Sequence, residues 1–188
     1  MPPLRHEPSA LAPVTVRQDN ERWTLVFTRE LQHSPERVWT ALTDPAELRE
    51  WAPFDSDRNL GMTGKAAFTM AGEGADEKLE ETVRRAKPPR LLEHTWGGDL
   101  LRWELDPIAS GTRLTLYHTL SDRTWVPKVA AGWHICLDVA DRLMSGHPVG
   151  RIVGEAGKQH GWERLNDAYA ERLGIASSGS PDEEEQAR

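Results

Sequence analysis

Residues 81–119 read ETVRRAKPPRLLEHTWGGDLLRWELDPIASGTRLTLYHT, and this stretch decides the fold. Apolar residues recur in short runs, each closed by a turn signal. Pro88-Pro89 ends the first run, Gly97-Gly98 separates the second from the third, and Ser110-Gly111 precedes the last. Runs so spaced predict sequential antiparallel strands joined by tight turns. A meander with one apolar face needs a cover, and the flanking sequence supplies helices.

Upstream, Trp23–Thr28 predicts a strand with Trp23, Leu25 and Phe27 on one face. Ser34-Pro35-Glu36 then starts a helix, with a capping hydroxyl and proline at the first helical position. It carries Val38, Trp39 and Leu42. Asp44-Pro45-Ala46-Glu47 starts another, with the spacing of a capping box, and runs through Leu48 to Trp51. Residues 55–64 read as a polar loop, 65–70 as a strand, and 78–86 as the opening of the meander.

From Val126 the period becomes helical. Val129, Trp133, Leu137, Ala140 and Met144 form one stripe of a long amphipathic helix, stopped by Gly146-His147-Pro148. A further helical segment spans Lys158 to Leu173 and ends at Gly174. The fold class is therefore α+β. Residues 1–20 are Pro-rich and aperiodic and are expected to form a flexible N-terminal arm, 21–174 the domain, and 175–188 a disordered acidic tail.

Composition bounds the function. At 188 residues the chain suits one domain, and its charge of −7 includes no basic block of the kind that follows a phosphate backbone. Nucleic acid is not an expected partner. One cysteine, Cys136, precludes an internal disulfide and a Cys-based zinc cage. No apolar run approaches a membrane span and no signal-peptide core is present, so a cytoplasmic location without membrane contact is expected. Eight tryptophans against three phenylalanines make indoles a large part of the core.

The order strand, two short helices, antiparallel strands, long helix resembles the START-like (Bet v 1-like, helix-grip) superfamily. Its branch named for the C-terminal domain of the activator of Hsp90 ATPase is the one most similar. The likeness rests on Ser34–Pro45, Trp51, Pro88-Pro89-Arg90-Leu91, Thr95-Trp96, Gly111–Leu116 and Gly132-Trp133. It covers about Trp23–Gly146. It implies a bent sheet gripping the long helix, often with a cavity between them. The eukaryotic co-chaperone behind the family name has an additional N-terminal domain, so Hsp90 activation is not the expected role here. Fold alone does not assign activity.

Alternation with period two places His118 with Leu114, Leu116 and Leu120, and His94 with Leu92 and Trp96. Trp103 lies on the apolar face of the strand between them. Trp51, Trp96, Trp103 and Trp133 are thus expected as walls of a ligand cavity, with His94 and His118 as polar anchors. His118 and Glu81, the latter sharing a face with Leu79 and Val83, are acid/base candidates. Each has a plainer reading as a core or edge residue. His134 and Asp138 can meet on a helix while Cys136 points elsewhere, which is too few ligands for a metal.

No cofactor motif is present. The leading expectation is binding of a small apolar or aromatic molecule between sheet and long helix. An enzyme of the polyketide cyclase, dehydratase or hydrolase type using the same cavity is the first alternative. A chaperone-associated interaction module is the second, and a homodimer stays open.

Overall fold

The computed structural model describes residues 7–72 and 77–177. Eight strands form one antiparallel sheet: β1 Val14–Asp19, β2 Arg22–Leu31, β3 Phe54–Ser56, β4 Gly64–Met70, β5 Lys78–Lys87, β6 Leu91–Trp96, β7 Asp99–Ile108 and β8 Gly111–Leu120. Among the described residues, five α-helices accompany them, α1 Pro35–Thr43, α2 Pro45–Trp51, α3 Val126–Met144, α4 Glu155–Gln159 and α5 Trp162–Leu173, with one 3-10 turn, Arg123–Trp125, ahead of α3. The strand order is β1-β2-β8-β7-β6-β5-β4-β3. The expected meander is present, and β8 returns to pair with β2. This is the helix-grip α+β architecture.

Local chemistry sets the boundaries. Ser34 Oγ accepts from the Arg37 amide at 3.2 Å, and Asp44 Oδ1 accepts from Ala46 and Glu47 at 2.8 and 3.4 Å. Glu47 does not complete the expected capping box. It pairs with Arg37 Nη1 at 2.6 Å and so ties α2 to α1. Curvature has an identifiable source in β5, where the pairing shifts between Val83 and Arg85. At the β7–β8 turn, Gly111 has φ +144°, and a Cβ there would lie 2.2 Å from the Leu31 carbonyl oxygen. Only glycine lets this turn pass beneath the end of β2.

The long helix differs from the single stripe predicted for it. Nearly every residue from Val126 to Ala140 is buried. One face meets the concave sheet, and α5 packs on another. The Lys158–Leu173 segment is not one helix: α4 stops at Gln159, and Gly161 in the left-handed region begins α5. It packs on its own chain.

The N-terminal boundary also needs correcting. Residues 14–19, expected within a flexible arm, form β1 in register with β2. Ahead of it, Ala12 is buried, its N–H donating to the Tyr169 hydroxyl at 3.0 Å. Ser9 donates to Asp138 through both its amide (2.9 Å) and its hydroxyl (2.7 Å). At the other end Ile175 is buried and its N–H bonds to Ala170 O at 3.0 Å. Residues 1–6 of the expected arm and 178–188 of the expected tail lie outside the described residues. No helix among the described residues is long and apolar enough to cross a membrane.

Candidate functional site

Strand alternation turns His94, Trp103 and His118 inward, and α3 brings Trp133 down onto them. The four converge. Trp103 meets Trp51 and Trp133 edge to face, with ring centroids 6.3 and 5.2 Å apart, and Trp96 packs on Trp133 at 5.6 Å. His94 stands edge-on to Phe54 and Phe68, which stack on each other at 4.3 Å. Trp51, Trp103, His94 and His118 are each 1% exposed. The space expected between sheet and helix is therefore filled by the residues predicted to wall it. Offset and edge-on aromatic contacts are favourable in themselves, so the rings close on one another.

Both histidines are held by indole N–H groups, which only donate. Trp133 Nε1 donates to His118 Nδ1 at 2.9 Å, so the ring hydrogen of His118 sits on Nε2, 2.8 Å from Asp99 Oδ2. Trp103 Nε1 donates to His94 Nε2 at 3.3 Å, leaving His94 Nδ1 to donate to the Thr95 carbonyl at 3.0 Å. Burial pushes the His94 pKa down to about 4, with the Thr95 hydrogen bond and Glu81 acting weakly against it. In this geometry neither ring has a nitrogen lone pair open to a substrate. Glu81 is buried, and its carboxylate is occupied by the Thr95 hydroxyl and by the Gly97 amide at 2.6 Å. It fastens the β6–β7 turn.

The open space lies one layer further out. A cavity of about 280 Å³ is bounded by the end of β6 (Trp96), by α3 and by the segment that follows α3. The α3 face presents Val129, Gly132, Trp133 and Cys136, one helical stripe. Opposite stand Ile152, Gly157, Lys158 and Trp162. Of the six predicted wall and anchor residues, Trp96 and Trp133 line this cavity, while Trp51, Trp103, His94 and His118 do not. The physical reason is that Trp51 packs on Trp103, His94 is held by Trp103, Phe54 and Phe68, and Trp103 and His118 press against Trp133 from below.

Sequence reading missed Gly132, Lys158 and Trp162 as lining residues. Gly132 carried a signal: glycine in a helix interior costs about 1 kcal/mol relative to alanine. A Cβ built at Gly132 meets no atom within 4 Å, so its absence keeps the cavity open rather than avoiding a clash. Cys136 lines the same wall, and burial pushes its thiol up to about 12, so it faces the space as a neutral apolar group.

His134 and Asp138 meet as i,i+4 neighbours, 3.5 Å apart, in a separate polar cluster. Tyr169 Oη lies 2.7 Å from His134 Nδ1, and Arg29 pairs with Asp138. Burial alone would raise the Asp138 pKa. The hydrogen bond to His134, the Arg29 charge and the Ser9 donors outweigh it and hold the carboxyl well below its usual range. This cluster fastens the N-terminal segment over α3 and α5. Among the described residues, no three His, Cys, Asp or Glu side chains come together as metal ligands.

A curled antiparallel sheet gripping a long helix, with aromatic-lined space beside that helix, defines a START-like protein. The chain belongs to the family described as activator of Hsp90 ATPase homolog 1-like protein, whose model matches residues 32–145. The conserved protein of unknown function EF2215 from Enterococcus faecalis is similar in structure (TM-score 0.65, 19% identity), with 85% of this chain and 89% of that one covered. CalU16 from Micromonospora echinospora is similar at TM-score 0.62 and 21% identity, covering 85% and 95% of the two chains. An AHSA1-like protein from Aeromonas hydrophila matches at TM-score 0.55 and 19% identity, over 65% and 92%. At these identities the likeness is one of fold. No curated protein matches the sequence. The family match ends at residue 145, so the segment carrying Ile152, Lys158 and Trp162 lies beyond it.

Proposed function

We propose that this protein binds a small, largely apolar aromatic molecule in the cavity between α3, Trp96 and the segment following α3. The observation that carries the proposal is the open space above Gly132, faced by the indoles of Trp96, Trp133 and Trp162. Concave apolar space with a few polar groups is the usual form of a small-molecule site. Three rigid indoles contribute large contact area with little loss of side-chain freedom.

Binding is favoured over acid–base chemistry by the hydrogen bonds of His94 and His118. Their indole donors occupy the nitrogens a general base would use.

The test has two parts. Mass spectrometry of the small molecules released when the purified protein is denatured should identify an aromatic or similarly apolar compound. Naphthalene should quench tryptophan fluorescence saturably, and Gly132→Leu, which puts a side chain into the open space, should weaken that binding at least about tenfold. Saturable binding unchanged in a folded Gly132→Leu variant would place the ligand elsewhere.

A further inference from the structure

We infer that the ligand of this cavity is an aromatic carboxylate, its rings among the indoles and its acid group held by Lys158. This deepens the preceding proposal and rests on it. Among the described residues lining the cavity, Lys158 is the charged one, and neither Asp nor Glu joins it. It sits on α4 with its side chain about one quarter exposed. Its ammonium is 3.1 Å from Glu155, whose side chain is 66% exposed. An ammonium has three donor hydrogens, so the pair with Glu155 does not by itself exhaust it.

A second cation, Arg151, lies behind the cavity wall without lining the space. Arg151 is close enough for its charge to favour the thiolate of Cys136, a residue of the cavity wall. Arg151 spends Nη2 on the Leu48 carbonyl and on Asp55, while its buried Nε has no hydrogen-bond partner. Glu155, the acid that pairs with Lys158, stands outside the cavity lining, as do Arg151 and Asp55. A neutral apolar molecule would gain nothing from this distribution of charge. An apolar anion gains from Lys158, in a site where low polarity strengthens the interaction. Lys158 belongs to the segment after residue 145, beyond the matched family domain. The family fold would thus supply the apolar wall and the added segment the choice of charge.

The experiment compares 2-naphthoate with 2-naphthalenemethanol, equal in ring system and different in charge, by tryptophan quenching on the full chain. The acid should bind about tenfold more tightly, the effect of one charge-assisted hydrogen bond. Lys158→Met should abolish that preference, and Lys158→Arg should retain it. Raising potassium chloride should shrink the preference. Equal affinity for acid and alcohol, or a preference that survives Lys158→Met, overturns the inference while leaving the cavity proposal standing. If naphthalene and both naphthalene derivatives fail to bind, the cavity proposal falls and this inference with it.

Discussion

Trp133 donates its indole hydrogen to His118 Nδ1 at 2.9 Å, and so a residue of the long helix fixes the tautomer of a residue on β8. His118 Nε2, carrying the ring hydrogen, is then left facing Asp99 at 2.8 Å. The pair joins helix to sheet by a directed bond inside an otherwise apolar layer. Removing the donor while keeping an aromatic ring, in Trp133→Phe, should cost about 1–3 kcal/mol for an unsatisfied buried nitrogen, before any packing loss. Urea unfolding measures the cost. Long-range proton–nitrogen NMR should show His118 as the Nε2–H tautomer in the parent protein.

His94 makes stability depend on pH. Its pKa falls from 6.5 to about 4 on folding because burial disfavours the charged ring. Between those values the unfolded chain binds a proton that the folded chain does not, so stability rises with pH across this window. The full difference corresponds to about 3 kcal/mol in favour of folding above pH 6.5, lost progressively as pH falls toward 4. His94→Gln removes this titration. Urea melts at pH 7 and 4.5 should show a smaller loss in the variant than in the parent.

The Ser9–Asp138 bonds make the N-terminal segment part of the fold. Ser9→Ala removes the hydroxyl donor to Asp138 and should cost about 1 kcal/mol. Asp138→Asn leaves the Arg29 charge, with a side chain 13% exposed, without its anion and should cost about 3–5 kcal/mol. The folded Asp138 carboxyl is held below its unfolded value of 3.8, so its contribution is complete above that pH and lost as pH falls through the folded value. Hydrogen exchange at the Ser9 and Ala12 amides should be slow in the parent and fast in both variants.

Gly132 separates stability from binding. Gly132→Ala restores helix propensity without meeting any atom, and should stabilise the protein by about 0.5–1 kcal/mol. The same methyl group takes up cavity space and should weaken naphthalene binding. A thermal melt and a quenching titration on one variant check both signs.

Turn chemistry made most of the architecture legible. Gly97-Gly98, Ser110-Gly111 and the Ser34 and Asp44 helix starts are local signals, and each marks a real boundary. Alternation also placed Glu81, His94, Trp103 and His118 on apolar strand faces, and all four are buried, including Glu81, for which an exposed edge position was the plainer expectation. Two local readings did not survive packing. Val14–Asp19 has mostly exposed side chains and becomes a strand through its ladder to β2, not through its own pattern. Glu47 turned from its own helix end to Arg37 because α1 stands beside it.

The candidate site was legible only in part. Trp96 and Trp133 were identified, but Trp162, Lys158 and Gly132 were not, since they reach the cavity from three separate elements. Period and composition tell which residues leave water, and they do not tell whether two buried rings touch or leave room between them. For this protein the amino-acid order determined the strands, the helix starts and the inward faces, all consequences of backbone geometry within a few residues. Tertiary structure alone decided that the inner space is filled by aromatic rings and that the opening lies beside Gly132. Volume left between elements depends on how side chains distant in sequence interlock, and no local pattern encodes that.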